Sequence, residues 1–466
     1  MLMIRLRLQT RNGTFTSLSY ADDQLRIQNA RTLSLPLRQV ITAKRTGRSL
    51  QLSYIIKNKS MSLQQLSGTV EEVADDVLDA WIDTLLHMAY DDVGAKRGRR
   101  LKVVVNPHGG TKKAVGIFNK TIEPILRAAE CSLDVIQTTR RGHAYDIAKT
   151  LTLSDYDAIV VVSGDGLIHE ILNGLANHEH PIKALSIPLA PIPTGTGNGL
   201  SLNLLGFEDG FDVCAAALNV VKGLPMKIDL LSVVQNGKRT ISFMSQAMGL
   251  MADADIGTEH LRWMGEARFT YGLLRGLLRF KPCPIQLSYK AFETDKDKMY
   301  ESLQKRKTNP SSTTPTTDAE STQLPELKYV SNDDDWTVVE EPLLYVLAGK
   351  GPYIGRDYMS FPVSVPDDGL MDIVLQTMAV SRGQIITNIG GAAKGEVYWH
   401  PSIRYVKAHA YRVKPLSKNG ALAVDGEIFP FEEFQVETHP KLGNLLSLYG
   451  SYVADFAQKK TCNKAS

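Results

Sequence analysis

Three times between Val103 and Leu200, a short apolar run leads into a glycine-rich turn and then into a helix-like stretch. The middle unit is the most demanding. Asp157 to Val162 reads as a buried strand, and Ser163-Gly164-Asp165-Gly166 as a sharp turn. Ile168, Ile171, Leu172 and Leu175 then mark one face of a helix. Glycines at such a turn let backbone approach a ligand closely, and the free N–H groups of a helix start attract anions. A carboxylate between two glycines would repel a phosphate unless it does chemistry beside one. Taking a proton from a hydroxyl, or helping to hold Mg²⁺, would justify it. By itself the turn reads equally well as a plain connection with Asp165 as N-cap.

Its neighbours change that balance. In the first unit a β-branched run ends at Asn106-Pro107-His108-Gly109-Gly110, followed by Lys112, Lys113 and a helix bearing Val115, Phe118, Ile122, Ile125 and Ala129. Asn106 and the two glycines can wrap a phosphate, and Lys113 can neutralise it. In the third, a strand expected over Ala184 to Leu189 precedes Pro193-Thr194-Gly195-Thr196-Gly197-Asn198-Gly199 and another helix. The glycine spacing is not that of a dinucleotide fingerprint, and the chain contains no P-loop. Three such units place three loops at the carboxyl ends of parallel strands, the edge where open α/β sheets bind ligands.

In this order, NPHGGTKKA, SGDGLIHEILNG and PTGTGNGL resemble the nucleotide-binding motifs of lipid kinases related to diacylglycerol kinase. The resemblance runs from about Arg100 to Gly450 and implies ATP as phosphate donor, with Mg²⁺ on its phosphates. Residues 241–269, ISFMSQAMGLMADADIGTEHLRWMGEARF, are similar to the sphingoid-base-binding stretch of sphingosine kinases. By that resemblance Ser245 contacts the lipid head, Asp255 receives its ammonium, and Leu250 and Met251 line the acyl pocket. Arg262 and Arg268 match phosphate-binding arginines. A cationic amine beside the reacting hydroxyl also calls for a carboxylate as selector, whatever the family. Asp425-Gly426-Glu427 matches a motif that reaches the nucleotide site from the second domain, although Asp-Gly between β-like runs is also a plain hairpin turn. Arg141, in Thr139-Arg140-Arg141-Gly142, matches a nucleotide-contacting loop. Asp165 is then the general base, with Ser163, Gly164, Gly166, Thr194, Gly195, Thr196, Gly197 and Asn198 around the nucleotide. Glu170, one turn beyond Asp165, is assigned to a positioning network or to Mg²⁺. The metal ligands are not identified. His108, Thr111 and Gly199 depart from residues common in the family and remove no catalytic group. Rival readings are a ceramide or diacylglycerol kinase, and a non-catalytic lipid-binding adaptor with a kinase-like fold.

The remaining chain sets bounds. Its 466 residues leave room for two or three domains, and 43% hydrophobic with 22% charged residues is ordinary for a globular protein. A net charge of +3 is too small to argue for nucleic acid as partner, no nucleic-acid motif appears, and no apolar run is long enough to span a bilayer. Cys131, Cys214, Cys283 and Cys462 lack metal spacing and read as reduced thiols of a cytoplasmic protein. Residues 1–95 read as a β-rich unit with strands near Ile4–Leu8, Leu25–Gln28 and Ser49–Ile56. A helix from Val70 to Ala89 carrying Trp81 follows, an arrangement resembling a pleckstrin-homology (PH)-like domain. Residues 96–223 read as the α/β nucleotide lobe, opened by the basic linker 96–100. Residues 224–456 read as an antiparallel β-sandwich-like lipid lobe. It is interrupted by a helix over Gly257 to Phe280, and a disordered insertion is expected at about 305–335. A membrane-resident substrate implies peripheral membrane contact. A homodimer is compatible with the sequence.

Overall fold

The structure, a computed structural model, describes residues 5–71, 73–110, 112–258, 261, 267–308, 322–330, 335–356 and 358–456. At the N-terminus, seven strands of the described residues form one antiparallel sheet. A meander of four (Leu6–Thr10, Phe15–Ala21, Gln24–Gln28, Thr32–Pro36) joins a meander of three (Val40–Thr46, Ser49–Lys57, Met61–Val70) by pairing of the first strand with the last. The sequence reading missed four of these strands. Runs such as Thr16-Ser17-Leu18-Ser19 carry too few apolar residues to stand out, although Thr16 and Leu18 are buried. Met61–Val70 pairs along its length with Ser49–Lys57, so the helix begins at Asp75 rather than Val70. It lays Leu78, Trp81, Ile82 and Leu85 on the sheet, with the Trp81 ring 5.2 Å from Tyr20. This unit is docked on the lobe that follows. Lys222 Nζ donates to Ala89 O (2.8 Å), and Met61 N donates to Asp212 Oδ2 (2.8 Å).

The second sheet runs through the remaining chain. Four parallel strands stand in the order Ser132–Gln137, Arg100–Val105, Ala158–Ser163, Leu189–Pro193. The expected strand Ala184–Leu189 is displaced. Pro181 opens a helical turn, Pro181–Leu185, as proline favours at a first helical position, and the strand starts at Leu189. Pro191 and Pro193 are tolerated there because Ile159 N→Pro188 O and Thr194 N→Ser163 O put the even-numbered residues toward the paired strand. The prolines face the other side, where pairing with Phe434–Ser447 is limited to Leu189↔Leu445.

Phe434–Ser447 carries the sheet into the second lobe, pairing antiparallel with Leu224–Gln235 and Ile403–Pro415. One face of the antiparallel strands there encloses a core that includes Leu231, Met248, Leu287, Val346, Ile373, Val406, Tyr411 and Val436. The other face is covered by Leu273 and Leu277 of helix Ala267–Arg279 and by Met299 and Leu303 of helix Lys296–Thr308. Of the expected helix over Gly257–Phe280 the described residues show Ala267–Arg279, while 259–260 and 262–266 lie outside them, and a second helix, Leu250–Ile256, comes before it. The two pack closely because Gly272 and Gly276 face helix Leu250–Ile256: a Cβ at Gly276 would stand 2.3 Å from Leu250 Cδ1. Within the insertion, 309–321 and 331–334 lie outside the described residues. Residues 322–330 are docked, with Lys328 N and Tyr329 N donating to Glu437, and Lys305–Thr308 are helical.

A buried charge cluster ties the lobe together. Lys350 Nζ touches Asp229 Oδ2 (2.9 Å), Asp368 Oδ1 (2.7 Å) and Leu370 O (2.7 Å), while Lys407 bridges Asp368 (2.9 Å) and Asp372 (3.1 Å). Cys131, Cys214 and Cys283 are buried free thiols, and Cys462 lies outside the described residues. Among the described residues no helix is long and apolar enough to cross a membrane.

Candidate active site

The three glycine turns meet at the carboxyl edge of the parallel strands and pack on one another through their glycines. A Cβ at Gly195 would lie 2.3 Å from Gly164 Cα, and one at Gly164 would lie 2.5 Å from Gly197 O. Gly110, at φ +52°, presses on the third turn, where a Cβ would meet Thr194 O at 2.6 Å. The asparagines shape these loops. Asn198 bonds Gly195 in both directions, Nδ2 to its O at 2.9 Å and Oδ1 from its N at 3.2 Å. Asn106 Oδ1 accepts from His108 N (3.0 Å), and its Nδ2 reaches Ser163 Oγ (3.4 Å). Lys112 and Lys113 are exposed beside them, and the buried Thr194 Oγ1 has no partner among the described residues. Gly195→Ala should therefore force the second and third turns apart. We expect at least a tenfold rise in KM for nucleotide with an unchanged circular-dichroism spectrum, checked by initial rates against nucleotide concentration.

Asp165 stands at the first turn of helix Asp165–Ala176, inside this crossing. Its Oδ2 accepts from Gly199 N (2.7 Å) and its Oδ1 from Leu200 N (3.2 Å), the otherwise unpaired amides that open helix Gly199–Asp209. Burial pushes the carboxyl up to about 6. The two amides pull it back, and the Asp425 charge adds to the rise.

Glu170 Oε1 accepts from Gly142 N (3.0 Å), which fixes the 139–142 loop over the helix, and its buried Oε2 has no partner among the described residues. From the second lobe, Glu427 bonds Arg141 through Oε2. Its Oε1 lies so near Gly166 that a Cβ there would be 3.1 Å away. Asp425 and Gly426, at φ +50° and +79°, form the two-residue turn between Leu422–Val424 and Glu427–Phe429. Asp425 Oδ1 accepts from Ser242 Oγ (2.8 Å), Met244 N (3.0 Å) and Ser245 N (2.9 Å). Its Oδ2 accepts from Phe243 N (3.2 Å) and pairs with His169 Nδ1 (2.8 Å). Both oxygens thus hold the 242–245 segment and the helix that carries Asp165.

His169 and Asn173 escaped the sequence reading. Asn173 exchanges hydrogen bonds with the backbone of Ile241, Nδ2 to O and Oδ1 from N, both at 2.8 Å. Residues 165, 169 and 173 follow one another at i+4 along one helix face. Polar residues recurring at that spacing on a buried helix were the available signal. Through them the Asp165 helix is bound to the second lobe.

Ser245 is buried at the start of strand Ser245–Gly249, its backbone fixed to Asp425. That strand leads into helix Leu250–Ile256, where Leu250 is buried and Met251 half-buried against the outer core. Asp255, at the far end, pairs with the buried Arg268 (3.0 Å), which also donates to Asp255 O (3.1 Å). The structure thus gathers Asn106 to Gly110, Arg141, Ser163 to Gly166, Glu170, Thr194 to Asn198, Asp425 and Glu427 at one edge. Asp255 and Arg268 form a second cluster, joined to it by strand Ser245–Gly249. Arg262 lies outside the described residues.

Residues 100–233 match the diacylglycerol kinase catalytic domain. A crystal structure of a diacylglycerol kinase from Bacillus anthracis superposes with a TM-score of 0.52 at 22% identity, over 76% of this chain and 98% of that one; this likeness concerns the fold alone. Sphingosine kinase 1 of Homo sapiens is 32% identical over 75% of this chain and 92% of its own length. Sphingoid long chain base kinase 4 of Schizosaccharomyces pombe is 34% identical over 89% of this chain and 88% of its own length. The chain belongs to the family of sphingoid long chain base and sphingosine kinases, lipid kinases built on the diacylglycerol kinase catalytic domain.

Proposed function

We propose that the protein transfers the γ-phosphoryl group of ATP to the primary hydroxyl of a sphingoid base. The observation that carries the reaction type is Asp165, a buried carboxylate at the crossing of the glycine turns, with both oxygens oriented by backbone amides. Asp165 accepts the hydroxyl proton as the alcohol oxygen bonds to the γ-phosphorus and the bond to the β-bridging oxygen breaks, releasing ADP. The turns around Gly110, Gly164 and Gly195 bring backbone to the phosphates, and Lys113 and Arg141 neutralise them.

Among the described residues no three acidic, histidine or cysteine side chains cluster as a cage for a metal. That suits Mg²⁺, which is ordinarily held by one or two carboxylates together with substrate phosphates. Glu170, whose Oε2 has no partner among the described residues, and Glu427 are the side chains that would hold it. When bound, Mg²⁺ neutralises charge on the transferring group.

Asp255 receives the ammonium of the base and Ser245 a lipid hydroxyl. Leu250 and Met251 flank the chain, and Arg268, paired to Asp255, sets the orientation of that carboxylate. Asp255→Asn should raise KM for sphingosine at least tenfold while changing turnover of a neutral lipid alcohol little, because of the two substrates only the amine loses a charge partner, and Arg268 keeps its hydrogen bond to the main-chain oxygen of residue 255. Equal losses on both would remove the amine role.

The same reading makes the protein a cytoplasmic, peripheral membrane enzyme whose N-terminal unit is a PH-like module. Tyr271, Leu274 and Leu278, exposed by 47%, 48% and 77%, support the membrane contact because they follow one line on helix Ala267–Arg279.

A further inference from the structure

Helices Asp165–Ala176 and Gly199–Asp209 meet at Asp165. The first carries it, and the second supplies the two amides that hold its oxygens. Each helix is also fastened to the second lobe by an asparagine. Asn173 exchanges its two hydrogen bonds with Ile241, both at 2.8 Å. Asn203 does the same with Tyr353: Nδ2 donates to Tyr353 O (3.0 Å), and Oδ1 accepts from Tyr353 N (2.7 Å). All four residues are buried.

A carboxamide carries a donor and an acceptor side by side, as a peptide group does. An asparagine on a helix can therefore take the place of a neighbouring strand. Among the described residues strand Lys238–Ser242 pairs only with Leu224–Gln235, and Asn173 satisfies Ile241 at the other edge. Room for Asn203 comes from Gly351, at φ +84°, where a Cβ would stand 2.4 Å from its Nδ2. Buried peptide groups left without partners are costly, so each contact pins its helix within the tolerance of a hydrogen bond.

The two ties end on either side of one place. Ser245 pairs with Gly349, where strand Ser245–Gly249 meets strand Leu343–Gly349. Ile241 lies four residues before Ser245, and Tyr353 lies four residues after Gly349. The seat proposed for the lipid hydroxyl and the carboxylate that takes its proton thus belong to different lobes, and both asparagines bridge the gap between them.

We infer that Asn173 and Asn203 are positioning residues that hold Asp165 at reacting distance from a lipid seated at Ser245. The inference rests on the proposed reaction. Loss of either tie shifts the lipid relative to Asp165 and leaves the nucleotide on its glycine turns. Water then takes the phosphoryl group more often in place of the lipid hydroxyl.

The test compares Asn173→Ala and Asn203→Ala with wild type and with Asn219→Ala. Asn219 is also buried and ties helix Val213–Lys222 to Leu446 O (2.8 Å), but that helix supplies nothing to Asp165. For each full-length protein, lipid phosphate formed from sphingosine and ATP consumed are measured at saturating nucleotide, beside calorimetric nucleotide binding and melting curves. Asn173→Ala and Asn203→Ala should each lower kcat for sphingosine about 10²-fold, the effect of an ångström of misplacement, with nucleotide affinity near wild type. ATP consumed per lipid phosphate formed should rise at least tenfold. Asn219→Ala should melt lower and keep the wild-type ratio. If alanine prevents folding, Asn173→Ser and Asn203→Ser leave room for a water on the same peptide groups and should show a smaller rise in that ratio. Lipid transfer and ATP consumption falling together, at an unchanged ratio, would overturn the inference and leave the asparagines as stability contacts. So would an equal rise in Asn219→Ala. Wild type that consumes ATP and labels no sphingosine would overturn the reaction beneath the inference, a result that no variant is needed to read.

Discussion

Asp165→Asn is expected to lower phosphoryl transfer by about 10²–10⁴-fold, the contribution of a positioned general base, without unfolding the protein. Two opposed effects act on stability. The folded carboxyl, at about 6, stands above its ordinary value near 3.8. The native state therefore holds the extra proton across that interval, and stability falls as pH rises through it, with the full penalty present above pH 6. Asparagine removes that penalty. It also keeps only one acceptor oxygen, which leaves one of the Gly199 and Leu200 amides unpaired. Each effect is on the order of 1–3 kcal/mol, so the variant should melt close to wild type at pH 7. In the wild type, kcat/KM should rise with pH through about 6 as the base loses its proton. Single-turnover rates across pH 5 to 8, beside melting curves, check both statements. A variant that keeps more than a tenth of wild-type activity would remove Asp165 from proton transfer.

Lys350→Met should be the most destabilising single change in the second lobe. Burial opposes the Lys350 charge, but Asp229, Asp368 and Asp372 together hold the ammonium above the ordinary lysine value. Against burial, Lys350 and Lys407 in turn hold Asp368 well below the usual carboxylate range. Removing the ammonium takes from Asp229 the cation its Oδ2 touches and leaves Asp368 with Lys407. Breaking a buried pair from one side costs about 3–5 kcal/mol, a large part of a typical domain's stability. The sign of the pH dependence follows. Without Lys350 both carboxyls rise, so the folded state binds more protons than the unfolded chain and stability falls as pH increases. Urea unfolding of the variant should therefore show a larger deficit at pH 8 than at pH 5. A deficit independent of pH would mean lost packing rather than stranded charge.

The legible parts of the chain were those where a local pattern has one physical cause. Glycine turns between apolar runs imposed parallel strands with the three turns together at their carboxyl edge, and Asp165 stood out because a carboxylate there needs a reason. The strand after Pro181 was misplaced because a proline that starts a helical turn and a proline tolerated in a half-paired strand look alike in sequence. Strands such as Phe15–Ala21 and Met61–Val70 were missed because Ser, Thr and Gln dilute their apolar alternation, while Val40–Thr46 was missed although it opens with a buried Val-Ile-Thr-Ala run. From its residues alone Asp425 reads as a hairpin-turn residue, and only the resemblance makes it a site residue. The structure makes it a turn whose carboxylate holds Ser242 through Ser245 and His169, contacts with separations no local pattern reveals. The pairing of Asp255 with Arg268 was hidden for the same reason, since it depends on how two helices pack.

The most direct test of the central claim is transfer of labelled phosphate from ATP to sphingosine, phytosphingosine, ceramide and diacylglycerol, presented side by side to the wild-type protein. The account predicts labelling of the two free bases, at least tenfold over ceramide and diacylglycerol. Preferential labelling of a neutral lipid would contradict it and take the amine role from Asp255; labelling of none by well-folded protein would leave a lipid-binding adaptor.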